Sequence, residues 1–555
     1  VAVRLTVASS RDVMRQRFSD GWVRGVDRKD KERVQIEVVQ RVLDAVGAEP
    51  HRVEQAIFDT LYEERRRLET EPEGPVRSEQ AAFYDRVHSA TLHADARTQR
   101  ELLREIIRRF TEEVTGHFDP RVYALATRVA PTGLNLLLNA MSPIKLLEAI
   151  QGGSSDLEEQ FEVTGHVQEV TKLAKIGTLV VVPTHSSNLD SILMGYAIWR
   201  LGLPPHLYGA GLNLFSNKTI GFFMHNLGAY KVDRRKKAEV YKNVLKTYAG
   251  CSMELGYHNL FFPGGTRSRS GGVEQRLKMG LLGMGLDAYV HNLMARKARP
   301  DIFVVPCTIN YELVLEAETL IDDYLKEAGK ARYIIEDDEF SKPKIILDFV
   351  KKLFSLNSKI HVVVGHPLDV FGNRVDADGT SRDHRGRPVD RTRYVVKNGA
   401  PAFDEQRDEE FTRELAQVIV QSYRRYTMAK TTNVLCRVVF QWLREKSQGQ
   451  DLYRMLRTGG PEESIPVPEA YERVDRMLRA LRGLATRDRI LLDQPLREYD
   501  VPALVNYALA HLSSYHRRPA VQRRGDRLFH IDRNLIFYYQ NRLECHATDL
   551  AAESS

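Results

Sequence analysis

Between residues 161 and 364 short apolar runs alternate with longer stretches of helical periodicity, and few architectures accept that rhythm. Strands are predicted at 161–167, 178–183, 206–210, 259–262, 302–309 and 360–364, with clear helical stretches at 236–255 and 277–295. Strands separated by helices build a sheet with helices packed on its faces, so the expected class is α/β with a mixed sheet. Outside this region the pattern is helical. Val34, Val38, Val42 and Val46 recur at helical spacing, as do Leu102, Leu103, Ile106, Ile107, Phe110 and Val114. The run Glu71-Pro72-Glu73-Gly74-Pro75 reads as a linker between two helical pieces. The expected division is a helical N-terminal domain at 1–150, an α/β domain at 151–404 and a helical C-terminal region at 405–555. Within it, residues 373–398, rich in Gly, Asp and Arg, read as a long loop, helices run to near 515, and 551–555 read as a frayed tail.

The 555 residues carry a formal charge of +7, with basic residues along the whole length. That surplus suits an anionic membrane surface, an anionic substrate or an acidic carrier. Zinc-finger spacing and aromatic-rich basic repeats are both missing, so nucleic acid is not an expected partner. Cys251, Cys307, Cys436 and Cys545 are far apart and form no C-x-x-C pair. They are expected as free thiols in a reducing compartment, and neither a metal nor a cofactor is expected. The chain opens on Val1 without a charged segment followed by an apolar one, so export through a signal peptide is not expected. No run approaches the ~20 apolar residues of a membrane span, which leaves contact from the surface. The uncharged stretch between Pro131 and Pro143 is expected as a buried helix, with a bilayer interface as the alternative.

Four segments of the α/β region carry chemistry. In the first, the apolar run Leu179–Pro183 hands over to Thr184-His185-Ser186-Ser187-Asn188-Leu189-Asp190, and helical spacing resumes at Ile192. A carboxylate near a histidine orients the imidazole as a general base; a capped surface turn is the plain alternative. The second is Gly228-Ala229-Tyr230-Lys231-Val232-Asp233-Arg234-Arg235, with Lys236 and Lys237 behind it. Its cations either bind a phosphate or solvate a helix start. The third, Phe262-Pro263-Gly264-Gly265-Thr266-Arg267-Ser268-Arg269-Ser270-Gly271, joins glycines to Arg and hydroxyl side chains, as an anion cradle does. The fourth runs from Val304 through Pro306 to Tyr311-Glu312 and says little alone. No G-x-S-x-G elbow surrounds Ser186 or Ser187, which disfavours a serine hydrolase.

Together and in this order, the four blocks resemble the glycerolipid acyltransferase family, over roughly residues 160–320 with weaker likeness to Val364-Gly365-His366-Pro367-Leu368. His185 and Asp190 match its H-x4-D block; Gly228 to Arg234 match the second, Phe262 to Gly271 the third, and Pro306, Tyr311 and Glu312 the fourth. The resemblance implies acyl transfer from a thioester, acyl-CoA or acyl carrier protein, to an alcohol. His185 and Asp190 would be catalytic, while Lys231, Arg234, Arg235, Gly265, Thr266, Arg267 and Ser268 would bind substrate. Two positions depart from it. Gly264 stands where the family usually has Glu, with Glu274 a nearby candidate to supply its role, and Asp233 stands where glycerol-3-phosphate enzymes often have Arg. The chain's length, its flanking helical regions and a tyrosine pair, Tyr538-Tyr539, favour a bacterial glycerol-3-phosphate acyltransferase making the sn-1 ester in the first step of phospholipid synthesis. Lysophosphatidate as acceptor and a non-catalytic lipid-binding protein are the alternatives. The expected location is peripheral, on the cytoplasmic face of the cell membrane.

Overall fold

The structure is a computed structural model that describes residues 28–47, 50–123, 160–212, 218–328, 356, 358–447, 449–458 and 463–554. The uncharged segment between Pro131 and Pro143 lies outside the described residues. Four helices come first: α1 (Arg28–Val46), α2 (Pro50–Glu69), α3 (Pro75–Thr91) and α4 (Ala96–Val114). The Pro/Gly run at 71–75 separates α2 from α3, with Pro75 in the first turn, where its missing N–H costs nothing.

A seven-stranded sheet follows, in the order β1 (Phe161–Gly165), β7 (Ile360–Val364), β6 (Ile302–Asn310), β2 (Thr178–Pro183), β5 (Asn259–Leu260), β3 (Leu207–Gly211), β4 (Ala229–Val232). All neighbours are parallel except β6 and β7, so the class is α/β with a mixed sheet, flanked by helical regions. Every residue of β2 and β6 is buried, as the two central strands of a sheet covered on both faces must be. Side chains alternate between two cores. Leu179, Val181, Phe303 and Val305 pack with Leu193 and Ala197 of α6 (Leu189–Arg200). Val180, Val182, Ile302 and Val304 pack with Leu282 and Leu286 of α9 (Met279–Met294) and with Ile419 and Tyr423 of α11 (Glu405–Tyr426). The intervening helices are α5 (Val167–Leu173), α7 (Lys218–Asn226), α8 (Glu239–Glu254) and α10 (Ala317–Ala328). A third core joins Val38, Val42, Ile57, Ile106 and Phe110 of the N-terminal helices to Tyr241, Val244 and Tyr248 of α8.

Several local expectations differ from what forms. The first strand stops at Gly165, whose φ of 95° turns the chain into α5. The four-residue strand β4 is too short to announce itself by alternation. Residues 373–398 carry short antiparallel strands at Arg374–Val375, Ser381–Arg382 and Pro388–Val389, turned at Gly379 and Gly386. Helices follow from α11: α12 (Thr431–Lys446), α13 (Leu452–Thr458), α14 (Val467–Thr486), α15 (Gln494–Glu498), α16 (Val501–Leu512), α17 (Arg533–Gln540) and α18 (Ala547–Ser554). The last replaces the expected frayed tail, because Leu550 is buried in the core. A small antiparallel sheet of Ser464–Pro466, Arg527–His530 and Val521–Arg524 also interrupts these helices.

Candidate active site

Because β2, β4, β5 and β6 run parallel, the segments leaving their C-terminal ends emerge along one edge of the sheet. All four sequence blocks end at those exits, which is how residues far apart in the chain converge.

The β2–α6 turn holds His185 and Asp190, both buried. His185 Nδ1 lies 2.9 Å from Asp190 Oδ2. The same oxygen accepts the backbone N–H groups of Ser186 at 2.6 Å and Ser187 at 2.9 Å. The Tyr311 hydroxyl, from the end of β6, donates to Asp190 Oδ1. A carboxylate ringed by donors can only accept from the ring, so the proton sits on Nδ1 and the Nε2 lone pair is left for chemistry. Phe262 stacks on the imidazole, with centroids 4.1 Å apart. Burial holds His185 below its ordinary pKa against the pull of Asp190, and the Arg267 and Arg234 charges push it the same way. The imidazole therefore stays neutral, as a base must, through the physiological range.

The turn is held by two further carboxylates. Glu316, fully buried, accepts from Ser187 Oγ at 2.7 Å and from the Asn188 backbone N–H at 3.0 Å. Its Oε1 lies 3.3 Å from Arg267 Nη1. Glu274 Oε1 accepts the backbone N–H of His185 at 2.6 Å. The Ser187 hydroxyl is thus committed to Glu316, which removes it as a nucleophile.

The third block lies directly over the first. Ser268 N donates to the His185 carbonyl at 2.7 Å, and Ser268 Oγ donates to Gly272 O at 2.6 Å, so its hydroxyl closes the loop. Gly265 has φ of 79° and turns the chain beside Lys278; Thr266 is exposed at the loop tip. At Gly271 a Cβ would stand 2.3 Å from the Tyr538 carbonyl, so only glycine lets α17 close on the loop. Asn541 Nδ2 donates to Ser270 O at 2.8 Å across the same seam.

The cations of the second block divide. Arg234 is exposed, yet desolvation by the protein around it and the nearby Arg267 and Arg269 charges hold it below its ordinary pKa, and among the described residues it makes no ion pair. Arg235 is spent on Asp233 at 3.1 Å and Glu71 at 2.7 Å. Lys236, buried, joins Glu64 and Glu113. Lys231 and Arg235 line a cleft of about 560 Å³ between α2–α3 and β4. Of the predicted cations, Arg267 and Arg234 place their charge where it lowers the His185 pKa. No cluster of metal-ligating side chains occurs among the described residues.

A buried His–Asp pair beside guanidiniums that crowd one another can take a proton from a hydroxyl next to an anionic group. Residues 164–310 match the family model described as Acyltransferase. The matched segment contains all of the strands β2 to β6. The chain is also similar to glycerol-3-phosphate acyltransferases. That of Actinobacillus succinogenes is 29% identical over 325 residues, 57% of this chain and 36% of the relative. That of Pseudomonas fluorescens strain Pf0-1 is 34% identical over 174 residues, 31% of this chain and 20% of the relative. That of Pseudomonas paraeruginosa is 31% identical over 225 residues, 39% of this chain and 25% of the relative. The match thus spans about a third or less of the length of these relatives. Sequence reading did not single out Glu316, and it left Tyr311 without a role; each acts on the β2–α6 turn from a residue more than a hundred positions away.

Proposed function

We propose that this chain transfers a fatty acyl group from a thioester, acyl-CoA or acyl carrier protein, to the sn-1 hydroxyl of glycerol 3-phosphate. The observation that carries the reading is the buried His185–Asp190 pair within the field of Arg234 and Arg267. The similar proteins bear the name glycerol-3-phosphate acyltransferase, which supports the choice of acceptor. In this reading the phosphate is held by Arg234 and Arg267, and the hydroxyl reaches His185 Nε2. As the hydroxyl oxygen attacks the thioester carbonyl, its proton passes to Nε2, and Asp190 stabilises the imidazolium. The tetrahedral adduct collapses by breaking the C–S bond, and the proton leaves with the thiolate, giving ester and free thiol. The acceptor oxygen is itself the nucleophile, so no acyl-enzyme forms.

Thiol release from palmitoyl-CoA or palmitoyl carrier protein, with glycerol 3-phosphate or lysophosphatidate as acceptor, tests substrate and reaction together. Release that depends on glycerol 3-phosphate is the expected result, and dependence on lysophosphatidate alone would replace the acceptor. H185A should lose about 10²–10⁴-fold in rate with its melting temperature kept; near-normal turnover in that variant would remove His185 as the base. Attachment to the cytoplasmic membrane face belongs to the same reading. It is supported by the basic surplus, at ~1 kcal/mol per Lys or Arg near an anionic surface. No helix among the described residues is long and apolar enough to cross a membrane.

A further inference from the structure

Gly264 sits where the chain leaves β5 for the third block. A Cβ built on it would stand 3.1 Å from Cγ of Glu274 and 3.6 Å from its Oε1. The φ of Gly264 is not in the left-handed region, so this position is not reserved for glycine by its backbone. Its side-chain space is already taken by Glu274, which reaches back from beyond the Gly271–Gly272 turn. From there Oε1 holds the backbone N–H of His185, while Oε2 is buried with no hydrogen-bond partner among the described residues.

We propose that Glu274 is a positioning residue of this site, holding the His185 turn from the space that a carboxylate at position 264 would fill. The two positions are interchangeable sources of one carboxylate. The proposal rests on His185 acting as the base. Besides the His185 backbone N–H, three titratable or charged groups face the carboxyl: Asp190 from the β2–α6 turn, Arg542 from the segment after α17, and Tyr423 from α11. Burial pushes Glu274 up to about 7, with the His185 N–H and Arg542 opposing the rise. Its ionisation therefore falls in the working pH range. The ionised form is the stronger acceptor for the His185 N–H.

A cycle of E274G, G264E and the double variant tests this, read as thiol release dependent on glycerol 3-phosphate. E274G frees the His185 turn, and G264E forces two carboxylates into one space. Each should lower kcat/KM by about 100-fold, the scale of a misplaced catalytic group. In the double variant the new carboxylate occupies the vacated space, and activity should return to within about tenfold of the parent, a strongly non-additive result. A double variant no better than the weaker single overturns the proposal. E274Q keeps shape and acceptor oxygen and so guards against misfolding as the explanation. The parent's kcat/KM should fall in two steps as pH drops, one near 7 from Glu274 and a lower one from His185. In E274Q only the lower step should remain; a profile that superimposes on the parent's overturns the proposal. If H185A stays active, the acyl-transfer reading falls. If H185A is inactive and the cycle is additive, only the role of Glu274 falls.

Discussion

Asp190 receives hydrogen bonds from the Ser186 and Ser187 backbone, the His185 ring and the Tyr311 hydroxyl, while its side chain is fully out of reach of water. Each donor narrows the directions the carboxylate can take, and the imidazole inherits that direction. Y311F keeps the ring packing and leaves Oδ1 of a buried carboxylate without this donor. A hydrogen bond to a charged group contributes about 1.5–3 kcal/mol, so kcat/KM should fall by about tenfold or more while the chain stays folded. An unchanged kcat/KM would reduce Tyr311 to packing. The His185–Asp190 relation is legible in sequence because both lie in one turn, five positions apart. The Tyr311 relation is not, because it depends on β6 lying beside β2 in the register that pairs Pro183 with Cys307.

Among the elements, α12 shows how a residue of a sequence block can serve the scaffold. Glu312 stands next to Tyr311, yet its carboxylate accepts the backbone N–H groups of Thr431 at 3.2 Å and Thr432 at 3.2 Å, and both hydroxyls as well. It therefore satisfies the N-terminal donors of α12 and places a negative charge at the positive end of the helix. E312A strands those buried donors and should cost about 3 kcal/mol of stability, measured by urea unfolding. A loss well under 1 kcal/mol would mean that water replaces the carboxylate there. The expected strands near 178–183, 302–309 and 360–364 formed because each is a predominantly apolar, β-branched run with turn residues at its ends. The tail helix α18 and the small C-terminal sheet were not legible, since their stability comes from packing on distant helices and not from local pattern.

The molecule as a whole joins its N-terminal helices to the sheet through charge as well as through a shared core. Lys236, in the block whose cations read as phosphate ligands, is buried with Glu64 of α2 at 3.1 Å and Glu113 of α4 at 2.9 Å. Arg41 of α1 likewise reaches Glu254 of α8. K236A leaves Glu64 buried with one cation fewer and should cost about 3–5 kcal/mol, the penalty for breaking a buried pair from one side. The readout is a lower midpoint in thermal unfolding; an unshifted midpoint would mean that the Lys236 pairs contribute nothing to holding the N-terminal helices.

By itself the sequence determined the α/β class, most of the central strands, and the proximity of a histidine to an aspartate, because apolar periodicity and short-range spacing are local properties of a chain. Only the tertiary structure decided which cations face His185, that Arg235 and Lys236 are spent on ion pairs, and that Glu274, Glu316 and Tyr311 hold the β2–α6 turn. Those relations exist because parallel strands bring their C-terminal ends to one edge, and no spacing along the chain encodes which ends become neighbours.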